Sequence, residues 1–416
     1  MRIMLLSCFV MALTTLAFAC NGESPSSPTM AGDGTTTDGG TWDDSLLCTT
    51  MASSCIDRQQ GCMLDPETSA EVCVPCGEKQ MPNAQGRCTL IDGIVHEHDF
   101  GELSIEAGGE YNGVCQSWVL NNSEELWVNA VEFSSQGYYH HSNWFFVPEG
   151  THNYKDGNWY DCYNDGFEEI TAALKGGVLF AQSTQVDREV QRFGDGVAIR
   201  IPPYSRIIAA THLLNYTPED VTTELVMRLY TLPIDDVTVK LTPFRLTYFP
   251  LDIPANATSE FGGSCDIDEA FQGVDDKPLD LKLHYILPHY HNLGHNFRVG
   301  IHGGERDGET LFELGEFTAD PFGKVFDPPI DLKGAKGLDF SCTFLNTRDE
   351  SVGWGIGDQE MCLMLGFAES TVAFDGSVQE NKVLGPDENG VVQNTGTCTV
   401  AGFKFSQEKS GGKPSE

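Results

Sequence analysis

Basic side chains are scarce. Against 61 Asp and Glu there are only 25 Lys and Arg, which gives a formal charge of −36 over 416 residues. Docking on nucleic-acid phosphates needs a basic face, so that class of partner is excluded. Beyond the first twenty residues the chain also lacks any apolar run near the ~20 residues that a membrane-spanning helix requires. No sequence repeat links one part of the chain to another. Histidine is sparse as well, 11 in all, which makes its grouping informative. What is present is 40% hydrophobic and 10% aromatic, enough for packed cores and too much for disorder throughout. The 44 Gly and 20 Pro lie among short stretches rich in Val, Ile, Phe and Tyr, a composition that favours strands and tight turns over a helical bundle.

Residues 1–20, MRIMLLSCFVMALTTLAFAC, read as an export signal: Arg2, an apolar stretch from Ile3, and the small-x-small pattern Ala17-Phe18-Ala19. Cys20, directly after it, resembles the acylated cysteine of bacterial lipoproteins, although Ala17 and Phe18 depart from the usual residues there. Membrane anchoring through Cys20 is therefore expected, at the cell surface or outer membrane of a bacterium, with plain secretion as the alternative. Fourteen cysteines less Cys8, in the signal, and Cys20 leave twelve, an even number that suits complete pairing in an oxidising compartment. Six of them, Cys48, Cys55, Cys62, Cys73, Cys76 and Cys88, crowd into one short stretch. Cys73-Val-Pro-Cys76 has the spacing of a redox or zinc pair, but four neighbouring cysteines favour a disulfide-stapled module.

The composition divides the chain. Residues 21–47, rich in Ser, Thr, Gly, Asp and Pro, read as a flexible stalk. Residues 48–90 are too short for a hydrophobic core and depend on their crosslinks. From 91 to 406 strand-like runs recur, at 223–233, 237–250 and 279–291, separated by Gly, Asp, Asn and Pro turns. The fold expected is all-β, an antiparallel sandwich. Its length suggests two sandwiches, 91–234 and 235–406, joined near Leu232-Pro233-Ile234-Asp235-Asp236. Residues 407–416 read as a frayed tail.

Three histidine groups stand out. His140 and His141 are adjacent in GYYHHSNWFFVPEG; on a regular strand they would point to opposite faces, so both reach one metal only from a strand end or a bulge. His212 ends the apolar run SRIIAATHLL, where a lone imidazole is most often a core residue. His289 and His291, in ILPHYHNLGH, share a face by period-two geometry, an arrangement suited to chelation. Met361, in GIGDQEMCLMLGF, reads either as core packing beside a disulfide or as a soft ligand that prefers Cu(I) to zinc or calcium.

In that order, a His-His pair, a lone His after an apolar strand, a His-x-His followed closely by Leu-Gly, and an acidic residue before Met-Cys, residues 91–406 resemble the copper type II ascorbate-dependent monooxygenases. That is the family of peptidylglycine alpha-hydroxylating monooxygenase and dopamine beta-monooxygenase. The resemblance implies two eight-stranded antiparallel jelly-roll domains, each with one copper ion, facing across a solvent-filled cleft. It implies that His140, His141 and His212 bind an electron-supplying copper, and that His289, His291 and Met361 bind an oxygen-activating copper. It further implies disulfides Cys115–Cys162 and Cys342–Cys362, leaving Cys265 with Cys398. The activity implied is hydroxylation of a C–H bond of a small-molecule substrate by dioxygen, with ascorbate or a similar reductant.

The pattern departs at the substrate side. Where peptide-amidating members place an arginine two residues before the His-x-His and a tyrosine four after the methionine, this chain has Leu287 and Leu365; their glutamine two before the lone histidine is Ala210. No cation awaits a C-terminal carboxylate there, and Leu363 with Leu365 suggests an apolar substrate. A cell-surface module that binds copper or another ligand without turnover is the alternative, and a zinc-binding surface protein a third reading that leaves Met361 idle. The remaining histidines have structural readings: His284 points away from His289, His295 and His302 are reserve ligands at most, His96-Glu97-His98 is a solvated strand start, and His152 sits in a polar turn. Asp266, Asp268 and Glu269 lack calcium-loop spacing and read as surface charge.

Overall fold

In the computed structural model the described residues are 48–151, 159–182, 186–315, 317, 323–355 and 359–404. The expected signal (with Cys20), stalk and tail lie outside them, as does His152. The described chain is all-β, with three short α-helices among the described residues, Ala52–Asp57, Glu169–Lys175 and Ile267–Asp275. It forms jelly-roll-like β-sandwiches preceded by a disulfide-rich module.

In the first half, one sheet runs in the order Gly177–Gln182, Tyr139–Pro148, Ser205–Leu214, Glu110–Val119, Tyr160–Asp161. Every residue of its middle strand, Ser205–Leu214, is buried, as a continuous apolar run predicts for a strand covered on both faces. Ile207, Ala209 and Leu213 enter the main core. Ile208 and Ala210 pack instead with Cys115, Phe145, Phe167 and Ala172. The facing sheet carries Ile94–Ile105, Val221–Thr231 and Leu126–Ser135, with Arg188–Arg192 and Val197–Ile201 beside the last. The second half runs Lys324–Asp331, Lys282–His289, Leu363–Glu369, Val239–Tyr248, Val372–Val378, Val392–Lys404, Ala257–Asp266, Gly337–Asn346, Gly294–His302, Thr310–Leu314. Strict alternation of buried and half-buried residues in Val372–Val378 shows one face on the core.

The antiparallel expectation needs one correction. Val239–Tyr248 runs parallel to Val372–Val378, Ala257–Asp266 parallel to Val392–Lys404, and Val197–Ile201 parallel to Val239–Tyr248. Parallel neighbours require long connections, and the first two pairs are joined through most of a sandwich. The third crosses the expected joint, where Ile234–Asp236 forms a single 3-10 turn. Val197 and Ala198 pair with Val239 and Lys240, so backbone hydrogen bonding runs from one half into the other. One buried apolar cluster likewise spans both halves, and Phe193 meets Tyr285 and Phe367 edge-on at 5.8 and 5.3 Å.

Among the described residues there are six disulfides: Cys48–Cys62, Cys55–Cys73, Cys76–Cys88, Cys115–Cys162, Cys265–Cys398 and Cys342–Cys362. They mark a chain folded in an oxidising, extracytoplasmic setting. Cys73 and Cys76 take different partners, which removes the redox-pair reading. The module is also latched to the first sandwich. Fully buried Glu132 accepts the Tyr230 hydroxyl at 2.6 Å, Arg188 Nε at 2.8 Å and the backbone N–H of Lys79 at 3.2 Å. Arg228 reaches Glu97 at 2.6 Å and Glu78 at 2.9 Å. His96-Glu97-His98 lies near the start of the strand Ile94–Ile105 with Glu97 exposed, yet its side chains are engaged: Glu97 is part of this latch, His96 Nε2 lies 3.2 Å from Thr231 Oγ1, and His98 stacks on Trp118 at 5.1 Å. Asp266 likewise does more than carry surface charge; its side chain accepts the Glu269 N–H and starts the helix Ile267–Asp275.

Candidate metal centre

The His-His pair reaches a common site through a bulge. His212 pairs with His141 and Leu213 with Tyr139, leaving His140 as the extra residue on its strand. A bulge re-aims the inserted side chain, so adjacent histidines turn towards one place: His140 lies 5.0 Å and His141 4.8 Å from His212, ring to ring. His141 Nε2 is 3.0 Å from His212 Nδ1. On its other side His212 Nε2 is 2.9 Å from a carboxylate oxygen of Glu110. A carboxylate only accepts, so His212 carries its proton on Nε2 and presents the lone pair of Nδ1 inward.

His289 closes the strand Lys282–His289 and His291 follows in the turn, with their rings 5.1 Å apart. The turn needs Gly294, where a Cβ would stand 2.0 Å from the Tyr290 ring. Its other supports are Gln359 and Glu360. The Gln359 carbonyl lies 2.7 Å from His291 Nδ1, which must donate to it. Buried Glu360 accepts the backbone N–H groups of His291 and Leu293, both at 2.8 Å, and that of Met361. Burial pushes the Glu360 carboxyl up to about 7 against the pull of those donors. Met361 is half-buried and precedes the strand Leu363–Glu369, whose Leu363 pairs with His289. Cys362, bonded to Cys342, gives its carbonyl to the Tyr248 N–H at 2.9 Å.

The two histidine sets meet. His141 is 5.5 Å from His289 and 6.1 Å from His291, and His140 is 5.9 Å from His291. The separation across a cleft that the resemblance implies is absent: five imidazoles form one cluster. The apolar seam at Phe193 and the ladder at Val197 draw the two faces together, and uncharged rings tolerate the contact. Burial, aided by neighbouring imidazoles, holds His141 well below the ordinary histidine range. Burial lowers His212 to about 4 despite Glu110, and His291 to about 4 despite the Gln359 carbonyl.

The donor set fits copper. His291 Nε2 is buried with no hydrogen-bond partner, while its Nδ1 is held by a carbonyl, leaving a lone pair turned into the cluster. Neutral imidazoles beside a thioether-bearing segment suit both copper oxidation states better than they suit calcium or magnesium. Glu110 and Gln359 are not singled out by any sequence pattern, whereas Glu360 is the acidic residue of the Met-Cys motif. Two histidines near the His-x-His in sequence are placed otherwise: His284 is buried with Nε2 3.9 Å from Glu369, and His295 is exposed.

No protein-family model matches the chain, and no curated protein matches it. Among solved structures it is similar to the major capsid protein P2 from bacteriophage PM2, at 9% identity and a TM-score of 0.27 over 65% of this chain and 97% of that one. It is also similar to the PBSX exported protein XepA, at 10% identity and a TM-score of 0.16 over 71% of this chain and 95% of that one. Neither likeness bears on activity.

Proposed function

We propose that the chain is an exported, copper-dependent monooxygenase that hydroxylates a C–H bond of a small apolar substrate, using dioxygen and ascorbate or a similar reductant. The observation that carries the reading is the buried, unpartnered Nε2 of His291 within a cluster of five imidazoles, where Glu110 fixes the tautomer of His212 and the Gln359 carbonyl that of His291. His140, His141 and His212 would hold one copper and His289, His291 and Met361 the other. Bound copper would supply one-electron chemistry with dioxygen, the thioether favouring Cu(I) at the second site. The protein's own part is placement. Glu110 orients His212, Glu360 fastens the His291 turn to the Met361 segment, and the Cys342–Cys362 bridge fixes where that segment leaves the sheet. Leu287, Leu363 and Leu365, cross-strand neighbours of the His289 region, offer an apolar wall to the substrate. The reading includes acylation of Cys20 as a membrane anchor.

Metal analysis and oxygen uptake test it: two coppers per chain are expected, with ascorbate-driven oxygen consumption. His289→Ala and Met361→Ala should each abolish uptake while one copper stays bound. If Met361→Ala changes neither copper content nor uptake, the second site is wrongly assigned. One observation favours the second reading, a copper-binding surface module without turnover: His141 and His212 are in direct nitrogen-to-nitrogen contact at 3.0 Å. Copper binding without oxygen uptake under any reductant would select it.

A further inference from the structure

Away from the histidine cluster, three metal-ligating side chains converge at one end of the second sandwich. We propose that His302, Asp307 and Asp339 bind a borderline divalent cation of the zinc type. One ligand atom from each lies within 4.8 Å of the other two. The residues come from three segments: His302 ends the strand Gly294–His302, Asp307 lies in the turn that follows, and Asp339 is on the neighbouring strand Gly337–Asn346. Gly300 pairs with Asp339 and His302 with Gly337, so His302 and Asp339 are diagonal neighbours on one face.

The groups are held and left unspent. Asp307 Oδ1 accepts the Gly303 N–H at 2.6 Å, which fixes its carboxylate over a turn where Gly303 and Gly304 both take positive φ, +72° and +76°. Asp339 Oδ1 is buried, has no hydrogen-bond partner, and lies 3.3 Å from His302 Nδ1. Of the nearby arginines, Arg306 is paired with Glu309 and the Asp331 carbonyl, and the Arg298 guanidinium is held by Thr310 and the Gly308 carbonyl. An orphaned carboxylate oxygen beside an imidazole, in a chain of charge −36, is a site that a cation completes. One imidazole and two carboxylates, with no sulfur, select zinc-type ions over Cu(I), and the imidazole selects them over calcium. Three protein ligands leave a position for water, and a cavity of about 300 Å³ lined in part by Asp339, Arg298 and Ser341 adjoins it. A bound ion would tie the hairpin of Gly294–His302 and Thr310–Leu314 to the strand that bears Cys342.

The test is titration of the metal-free full chain with Co²⁺, read by its visible d–d absorption and by stoichiometry. His302→Ala and Asp339→Asn should each bind one equivalent fewer than the parent, and exposed Asp307→Asn, the variant least able to disturb folding, should weaken that equivalent at least tenfold. His289→Ala should leave it intact, which keeps this site independent of the copper reading. Unchanged stoichiometry and affinity in all three variants would overturn the proposal.

Discussion

The side chains that decide the chemistry of the centre are those that touch the imidazoles from outside. Glu110 fixes the His212 tautomer through a single 2.9 Å contact. Glu110→Gln keeps the shape and loses the charge, and an amide can donate to His212 as well as accept. Under the copper reading, the expected result is copper binding weaker by about tenfold to a hundredfold at one of two equivalents, measured by competition with a chelator. Glu189 makes a different prediction. It is buried on the strand Arg188–Arg192 with neither oxygen hydrogen-bonded, and burial pushes its carboxyl up to about 8 from 4.5. The folded state therefore holds a proton that the unfolded chain releases. Its contribution to stability is complete below pH 4.5 and is lost as pH rises through 8. The melting temperature should fall between pH 5 and pH 9, and Glu189→Gln should flatten that slope; an unaltered slope would mean that the acid is not protonated in the fold.

Strands and turns were legible in the sequence to different depths. Runs of alternating Val, Leu, Tyr and Thr located Val221–Thr231, Val239–Tyr248 and Lys282–His289 closely, because strand periodicity is local. His289 and His291 do lie 5.1 Å apart, but the strand ends at His289, so the turn and not the strand period brings them together. The bulge at His140 did not follow from that period either, since it exists only in the register of three strands, and only the need for it could be stated. Nor could Glu110 be chosen among so many acidic residues, because its partner lies 102 positions away. The Cys342–Cys362 bridge belongs to this scale. It fixes the segment that begins the strand Leu363–Glu369, so Cys342→Ser with Cys362→Ser should cost about 2–5 kcal/mol in chemical denaturation. Under the copper reading, Cu(I) at the Met361 site should be lost before copper at the other site.

At the scale of the whole molecule, composition marked residues 48–90 as a crosslinked stretch, whereas what that stretch is fastened to was not legible. The module, too small to have a core of its own, is fastened to the first sandwich through Glu132, buried among Arg188, Arg228 and Tyr230. Glu132→Ala removes the carboxylate that pairs with Arg188 and leaves the Tyr230 hydroxyl without its acceptor, while Arg228 keeps Glu97 and Glu78. A loss of about 3–5 kcal/mol is expected, with faster proteolysis between residues 76 and 91, followed by mass spectrometry. Glu132→Gln should recover part of that loss.

The backbone ladder between Val197–Ala198 and Val239–Lys240 makes the two sandwiches poor candidates for separate life. A chain severed near residue 235 would present each piece with a raw strand margin and a torn apolar wall at Phe193 or Phe367. Such pieces should cling to each other, or to copies of themselves, before either stands alone.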